Sequence, residues 1–388
     1  MEVYILDSLY RRIGIVEKYE SFIWTERLAS IGDFELVVFS TLENRNRFIP
    51  GIRIAQRDSY RVMTIETVED ITDDESRRLL KIKGPSLEAV MDQRLAMAAL
   101  TDLTTDPKWI IEGFPKDIAE QLFHDIMVTG ILDPGDILPG VVEDSIFPED
   151  TIDPPTEEII YSIDPMTLYQ ALKNLCDAYN MGFRLVRDLD TSILYFDVYT
   201  GSDRTTIQTI LPAVIFSPDL ENMKNTAKLT TNALFKNVAY VVSPVGHEIV
   251  YLPDVDPDIE GFERRVLFVR ADDITDVVPA DATAKMIQRG KEELAKNRRF
   301  IGLDGEVTPS SQYTYGVDYN LGDLVELRDD DGVTSQMQVT EQIFVSDKEG
   351  DRSYPTLSIN LFVTPGSWLS MGQVIWQDMD DEEWLEMP

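Results

Sequence analysis

Side chains of alternating character at both ends of the chain are the feature that most constrains the fold. Within residues 61–71 two sets alternate, Val62, Thr64, Glu66 and Val68 with Met63, Ile65, Thr67 and Glu69. This period of two is typical of a half-buried strand. Near the other end, residues 322–328 and 336–341 have strand character and flank 329–332, whose Asp-Gly pair favours a tight hairpin turn. We therefore expect β-sheet at both ends.

Between these ends the pattern changes to that of short helices. Residues 84–95 place apolar side chains on one stripe behind Ser86, which predicts a short helix with Ser86 as N-cap. Asp164 and Pro165 form an N-cap and first-turn pair for a helix that Gly182 ends. The other predicted elements are helices at 115–130 and 281–297 and strands at 183–186 and 193–199. Because helices and strands do not alternate regularly, we predict an α+β, β-rich fold.

The length of 388 residues is more than one hydrophobic core usually fills, so we expect several domains. The predicted regions are a β-rich domain with a closing helix (1–100), an inserted α+β region (101–205), a second β-rich domain (206–365) and an acidic, Trp-rich tail (366–388). Within the insertion, residues 133–158 hold nine acids, five prolines and no Lys or Arg. Such a composition cannot pack a core, which predicts a long surface loop or a mobile insertion.

The charge of the chain limits its partners. The sequence contains 70 Asp and Glu against 35 Lys and Arg, a formal charge of −35, which repels phosphate backbones and anionic lipid headgroups. Nucleic-acid binding by charge is therefore excluded. The sequence also lacks a run of 18 apolar residues and a basic segment before an apolar one at its start, so we expect no membrane insertion and synthesis in the cytoplasm.

The sequence offers little from which to build a catalytic or metal site. It contains no phosphate-binding Gly-rich loop, no zinc-protease motif, no nucleophile elbow and no dinucleotide fingerprint. Cys176 lies on an apolar helix face and is expected to be a buried, inert thiol, and His124 a partly exposed helix residue. Acids at 254–258 and 329–331 resemble a cation site only weakly, because the first run lacks the glycine and glutamate of a calcium loop. We predict no catalytic residues, no metal and no cofactor.

The last 23 residues combine large apolar side chains with acids. Three of the five tryptophans lie here, and six acids but no base follow from Asp378 onward. Trp and Met are favoured at interfaces, so we predict that the tail contacts a neighbouring subunit or another protein; the alternative is that it folds back onto its own domain. The residues predicted to make these contacts are Trp368, Trp376, Trp384, Met371 and Met379.

Several segments resemble one protein family. Residues 22–37 contain an aromatic and Arg pair, Trp24 and Arg27, followed by Gly-x-Phe-x-Leu at 32–36. The strand at 60–71 and the segment 84–94 follow, as a strand and a short helix ending in Arg do in that family. The most specific block runs from 289–294 through 315–325, 339–341 and 354–357. In order and spacing these segments are similar to the minor tail proteins of long-tailed, siphovirus-type phages that form the baseplate or tail hub.

The resemblance implies a fold and an assembly. It implies two barrel-like β domains in each chain and a homotrimer that forms a ring beneath the ring of tail-tube or distal tail protein. Such a subunit joins the tube to the tip, supports other tail-tip or receptor-binding proteins, and resides at the tail tip of the virion. The acids of the chain would then let DNA pass through the ring without binding it, because carboxylates repel phosphates over a Debye length of roughly 8 Å.

Two functions of other classes remain open at this point. A tail-tip enzyme that cleaves carbohydrate or peptidoglycan needs only two carboxylates, which the acids of this chain supply. A receptor-binding or carbohydrate-binding module is compatible with exposed Trp and Tyr side chains. The family resemblance itself brings no catalytic residues, so we predict that the protein is not an enzyme.

Overall fold

The structure is a computed structural model that describes residues 1–57, 59–74, 76–98, 108–232, 235–253, 255–275, 278–297, 300–307, 312–328 and 334–359. Strands contain 39% of the residues and helices contain 21%. The predicted β-rich α+β class is therefore confirmed at that level.

The first hundred residues are mostly strands. They are β1 (Val3–Leu6), β2 (Arg12–Val16), β3 (Ser21–Arg27), β4 (Asp33–Phe39), β5 (Arg53–Gln56), β6 (Met63–Thr64), β7 (Thr67–Thr72), β8 (Arg78–Pro85) and β9 (Leu95–Ala96). Helix α1 (Leu42–Arg47) precedes β5, and a 3-10 helix (Leu87–Gln93) follows β8. A four-stranded sheet in the order β2, β1, β5, β6 shares a core with β3, β4 and β8, because alternate residues such as Trp24 and Leu36 are buried there.

The middle region contains two helices packed on strands. Its strands are β10 (Trp109–Gly113), β11 (Val141–Glu143), β12 (Ile159–Ile163), β13 (Met166–Thr167), β14 (Gly182–Arg187) and β15 (Leu194–Tyr199). Its helices are α2 (Pro115–Phe123), which continues as a π-helix (His124–Thr129), and α3 (Leu168–Tyr179), with a 3-10 turn at Pro134–Asp136. Buried apolar faces of α2 and α3 form the core, where the rings of Phe123 and Phe196 stack at 3.6 Å.

The last region contains the longest helix and the longest strands. The strands are β16 (Ile215–Phe216), β17 (Met223–Thr231), β18 (Val238–Ser243), β19 (Gly246–Tyr251), β20 (Val266–Arg270), β21 (Phe300–Val307), β22 (Leu324–Arg328), β23 (Thr334–Asp347) and β24 (Gly350–Ile359). Helix α4 (Pro279–Lys296) follows β20, and 3-10 turns lie at Pro218–Leu220 and Gly261–Glu263. Strands β19, β18 and β20 form the α4 sheet, so named because one of its faces packs on α4 through Val241, Val250 and Met286.

A ten-stranded sheet, the large sheet, unites the two ends of the chain. Its main path runs β17, β21, β24, β23, β3, β4, β8, β7, and β22 and β16 branch from β23. The two ends meet where β23 pairs antiparallel with β3, so that Phe344 lies opposite Trp24. Consequently, strands separated by more than three hundred residues form one continuous hydrogen-bonded surface.

Several predicted elements are confirmed. The segments at 115–130 and 281–297 are helical, and Gly130 ends the first of them with a left-handed φ of 67°. Strands β22 and β23 pair antiparallel, as the hairpin prediction requires. Its turn at 329–332 lies outside the described residues.

The predicted ends of α3 are wrong. Asp164 and Pro165 do not cap it, because the next two residues form β13, which pairs with β9. The helix begins at Leu168, and the hydroxyl of Thr167 accepts the cap hydrogen bond from the Gln170 amide. It ends at Tyr179, and Asn180 forms the C-cap in the left-handed conformation, so Gly182 does not end it.

Two further predictions need correction. Residues 87–93 form a 3-10 helix, and the Ser86 hydroxyl accepts from the Gly32 amide at 2.8 Å instead of capping. The acidic segment 133–158 is largely exposed, but it contains β11, which pairs parallel with β15. The Asp150 carboxylate within it also accepts from the Thr200 amide at 2.8 Å. The segment is thus held to the middle region, while the predicted domain boundaries stay predictions.

Candidate functional site

A cleft of about 870 Å³, the central cleft, opens where the first, middle and last regions meet. Its walls include Glu26 and Arg61 from the first region, Arg184 from the middle region and Tyr315 from the last. In a chain of such negative charge, a cleft wall rich in arginine and aromatic residues is the most distinctive feature of the described surface.

Glu26 lies on one wall and collects hydrogen bonds from several elements. Its side chain is 4% exposed and accepts from Trp24 Nε1 at 3.0 Å, from the Ser59 hydroxyl, and from Tyr315 Oη at 2.8 Å. Burial raises the pKa of Tyr315 well above its usual range, and the Glu26 carboxylate raises it further. Tyr315 therefore remains a proton donor and links the last region to β3.

A buried ion pair of the first region is hydrogen-bonded to the middle region. Glu88 is fully buried and pairs with Arg61, which is itself 5% exposed. Glu88 Oε1 also accepts from the Leu185 amide of β14 at 2.9 Å. Arg61 in turn donates to the Arg27 carbonyl at 3.3 Å. Because breaking such a pair leaves an uncompensated buried charge, this contact holds the two regions in a defined arrangement.

Aromatic rings enclose a second cation in the cleft. The guanidinium carbon of Arg184 lies 3.7 Å from the centre of the Phe147 ring and 4.1 Å from that of Tyr199. Arg184 Nε donates to Asp197 Oδ2 at 2.8 Å. Phe147 belongs to the acidic segment 133–158, so this cation–π contact fastens that segment to the sheet below it.

The middle and last regions meet at a buried aspartate. Asp323 accepts from the Ser202 amide at 2.8 Å and from the Asn320 amide at 3.0 Å. Burial raises the pKa of Asp323 to about 6, although these hydrogen bonds and Arg204 oppose the shift. Nearby, Gly201 has a φ of 84°, and a Cβ there would lie 2.3 Å from the Gly322 carbonyl carbon. Glycine permits this close approach of the two backbone segments.

The central cleft contains few carboxylates. Its wall carries two carboxylates, Glu26 and Asp351, and both are engaged, the latter by the Met1 amine and the Ser346 hydroxyl. Glycoside hydrolysis commonly uses two carboxyl groups that flank the scissile bond. Within the described residues, no group of three or more His, Cys, Asp or Glu side chains is arranged to hold a metal ion.

The residues singled out from the sequence are placed as follows. Trp368, Trp376, Trp384, Met371 and Met379 lie outside the described residues, as do Asp254 and the acids at 329–331. Cys176 is buried, as predicted, and burial raises the pKa of its thiol. The side chain of His124 is 51% exposed, and its Nδ1 lies 2.7 Å from Glu143 Oε2. The sequence did not reveal this partner.

Sequence reasoning also missed the residues of the central cleft. They come from segments far apart in the chain, and no local motif marks them. The one sequence signal for them is that the charged residues Glu88 and Arg61 have apolar neighbours in the chain.

Comparison with known proteins identifies the family. The model of the family described as Siphovirus ReqiPepy6 Gp37-like protein matches residues 2–357. The chain belongs to this siphovirus tail-protein family. The resemblance found in its motifs is therefore confirmed. No curated protein sequence matches the chain.

Solved structures share the fold. The tail protein from Neisseria meningitidis MC58 is 13% identical with a TM-score of 0.56, over 92% of this chain and 96% of that one. The 43 kDa tail protein of prophage MuSo2 from Shewanella oneidensis is 14% identical with a TM-score of 0.54, over 92% and 98%. The prophage tail protein gp18 from Listeria monocytogenes EGD-e is 14% identical with a TM-score of 0.50, over 96% and 98%.

The helices of this family member are short or polar. In the part of the chain that the structure describes, no helix has the length and apolar character needed to cross a membrane.

Proposed function

We propose that the protein is a structural subunit of the phage tail tip or baseplate hub. It assembles as a homotrimer, joins the tail tube or distal tail protein ring to the tip, and supports the attachment of receptor-binding proteins. Family membership and the fold shared with phage tail proteins support this proposal. It acts by assembly, and DNA passes it without specific binding.

The observation that carries the proposal is the large sheet. It gathers strands from both ends of the chain into one surface, and its main path ends at β7 on one side and at β17 on the other. An open strand edge is a template for pairing with another chain. Closing three copies into a ring through these two edges leaves neither β7 nor β17 unpaired. In this arrangement each chain contributes two barrel-like β domains, one from each end.

The central cleft supports the same role. A ring subunit must keep its regions in a fixed relation, and buried polar contacts specify geometry more strictly than apolar contacts do. The hydrogen bonds from the Leu185 amide to Glu88 and from Tyr315 to Glu26 connect all three regions in this way. The subunit therefore enters the ring as one block.

Cryo-electron microscopy of the protein mixed with its tail-tube protein tests the proposal. We expect a three-fold ring seated on the tube, with carboxylates lining the channel. A particle without three-fold symmetry would contradict the assembly, and a basic or apolar channel would contradict the account of DNA passage. Clearing of bacterial wall material by the purified chain in a zymogram would favour the enzyme instead.

A further inference from the structure

The face of the α4 sheet that is turned away from α4 is apolar and exposed. Tyr240, Ile249 and Phe268 lie side by side across its three strands and are 37%, 45% and 62% exposed. Val242, in the next row, is also exposed. We call these four residues the open face. A contiguous apolar patch of this kind on a protein surface marks an interaction site.

Two arginines lie at the open face, next to Asp272 and to the acids of the loop that joins β19 to β20. Arg264 Nη2 donates to Tyr240 Oη at 3.2 Å. Arg270 follows Phe268 on the same face of β20 and is 71% exposed, in an exposed pair with Asp272. Glu248 points to the opposite face, where it accepts from Thr283 of α4. Arg264 and Arg270 offer cationic partners, and the exposed row offers apolar contacts, to a segment that combines acids with large apolar side chains.

The chain leaves the large sheet close to the α4 sheet. Ser358, near the end of β24, pairs with Gly302 of β21. Strand β21 begins at Phe300, four positions after α4 ends at Lys296. The Lys236 amide, just before β18, donates to the Asn297 carbonyl at 2.8 Å. The described chain therefore ends, at Ile359, near the base of the α4 sheet. The 29 residues that follow in the sequence have a contour length of up to about 95 Å.

We propose that the C-terminal segment 366–388 binds the open face of its own chain. Trp368, Trp376 and Trp384 supply large rings that pack on the apolar row, and Met side chains fill the gaps between them. The six acids from Asp378 onward lie near Arg264 and Arg270. The binding site, its occupant and the point where the segment begins all lie in one part of the molecule, and the inference is independent of the tail-tip role.

Amide hydrogen exchange of the full-length chain, read by mass spectrometry, tests this binding. We expect slow exchange in peptides covering 366–388. The Phe268→Asp variant should exchange about tenfold faster in these peptides, because removing a central aromatic anchor weakens binding by at least that factor. The control is Ile13→Asp on β2, whose side chain is 63% exposed and lies outside the open face. It should leave exchange of the segment unchanged.

A charge reversal gives a second test should Phe268→Asp fail to fold. Arg270→Glu should speed exchange in the segment, whereas Arg78→Glu, at a position 64% exposed, should not. Fast exchange in the wild-type segment would overturn the proposal, as would protection that survives both Phe268→Asp and Arg270→Glu. Protection that grows with protein concentration would assign the open face to a second copy and overturn binding within one chain.

Discussion

Two contacts hold the middle region against its neighbours, and each buries a carboxylate in a different way. At the central cleft, Glu88 is paired with Arg61 and accepts from the Leu185 amide. Between α3 and α4, Glu292 is 7% exposed and accepts from Gln288 Nε2 at 2.9 Å, while Tyr179 Oη donates to Gln288 Oε1 at 2.8 Å. The first carboxylate has a cation beside it, and the second has an amide.

The difference shows how the partner determines the state of a buried acid. Burial raises the pKa of Glu292 to about 7; the Gln288 hydrogen bond, Arg289 and Lys296 oppose that shift, and Glu293 adds to it. Desolvation dominates because a neutral amide compensates a charge less than a guanidinium does. The contact at the central cleft therefore contains a buried charge pair. The contact between α3 and α4 contains a buried carboxyl group, that of Glu292, which is protonated at acidic pH.

The largest expected effect is at the central cleft. Replacing Glu88 by Ala leaves Arg61 buried without its partner, so we expect the free energy of unfolding to fall by about 3–5 kcal/mol in urea denaturation. Glu35→Ala is the control, because Glu35 pairs with Lys81 and Lys83 at a position 27% exposed and its loss should cost about 1 kcal/mol or less. Equal losses of unfolding free energy in Glu88→Ala and Glu35→Ala would show that the buried pair contributes no more than the exposed one.

The next effect concerns the proton on Glu292. Because folding raises this pKa from 4.5 to about 7, the folded state binds the proton more tightly than the unfolded state. The corresponding stability is present below pH 4.5 and is lost as the pH rises to 7, by at most about 3 kcal/mol. Glu292→Gln should therefore be more stable than wild type above pH 7 and similar to it near pH 4.5.

Urea denaturation across that pH range measures this difference. Glu293→Gln is the matched control on the same helix, because Glu293 is partly exposed and paired with Lys296. Its curve should run parallel to that of wild type. A Glu292→Gln curve that also runs parallel would show that Glu292 stays charged, and the two contacts would then be alike.

The smallest effect belongs to an exposed carboxylate of the same middle region. Glu143 hydrogen-bonds His124 and raises the pKa of the imidazole above 6.5. This stability is fully present below pH 6.5 and disappears as the pH rises through the folded-state value. Since His124 is half exposed, His124→Ala should cost less than about 1 kcal/mol in acid, and nothing above the folded-state pKa. Thermal unfolding of wild type and His124→Ala, below pH 6.5 and above the folded-state pKa, measures this difference. An equal loss of stability under both conditions would contradict the pairing of His124 with Glu143.

Local patterns predicted much of the fold. Alternation correctly placed strands at both ends of the chain, although the single strand predicted at 61–71 is two strands, β6 and β7, which belong to different sheets. Periodicity with Pro115 and Gly130 placed the helix at 115–130. Failures occurred where tertiary pairing overrode a local signal. Asp164 and Pro165 have the chemistry of a helix start, but the hydrogen bonds between β13 and β9 keep the following residues extended, and the helix begins later.

The candidate site was far less predictable. The β23–β3 pairing joins residues over three hundred positions apart, and a single sequence carries no signal for such a pairing. The central cleft depends on that pairing, because it brings Glu26 and Tyr315 within hydrogen-bonding distance. Charged residues such as Glu88 look like surface residues from the sequence. Glu88 is buried against partners that lie apart from it in the chain, the Arg61 guanidinium and the Leu185 amide.

Light scattering of the purified chain, alone and with rings of tail-tube protein, tests the central claim most directly. The account predicts a three-fold particle of about 130 kDa, three copies of the 44.2 kDa chain, formed by the chain itself or on the tube ring. A chain that stays monomeric at every concentration and does not bind the tube ring would contradict the assignment as a hub subunit.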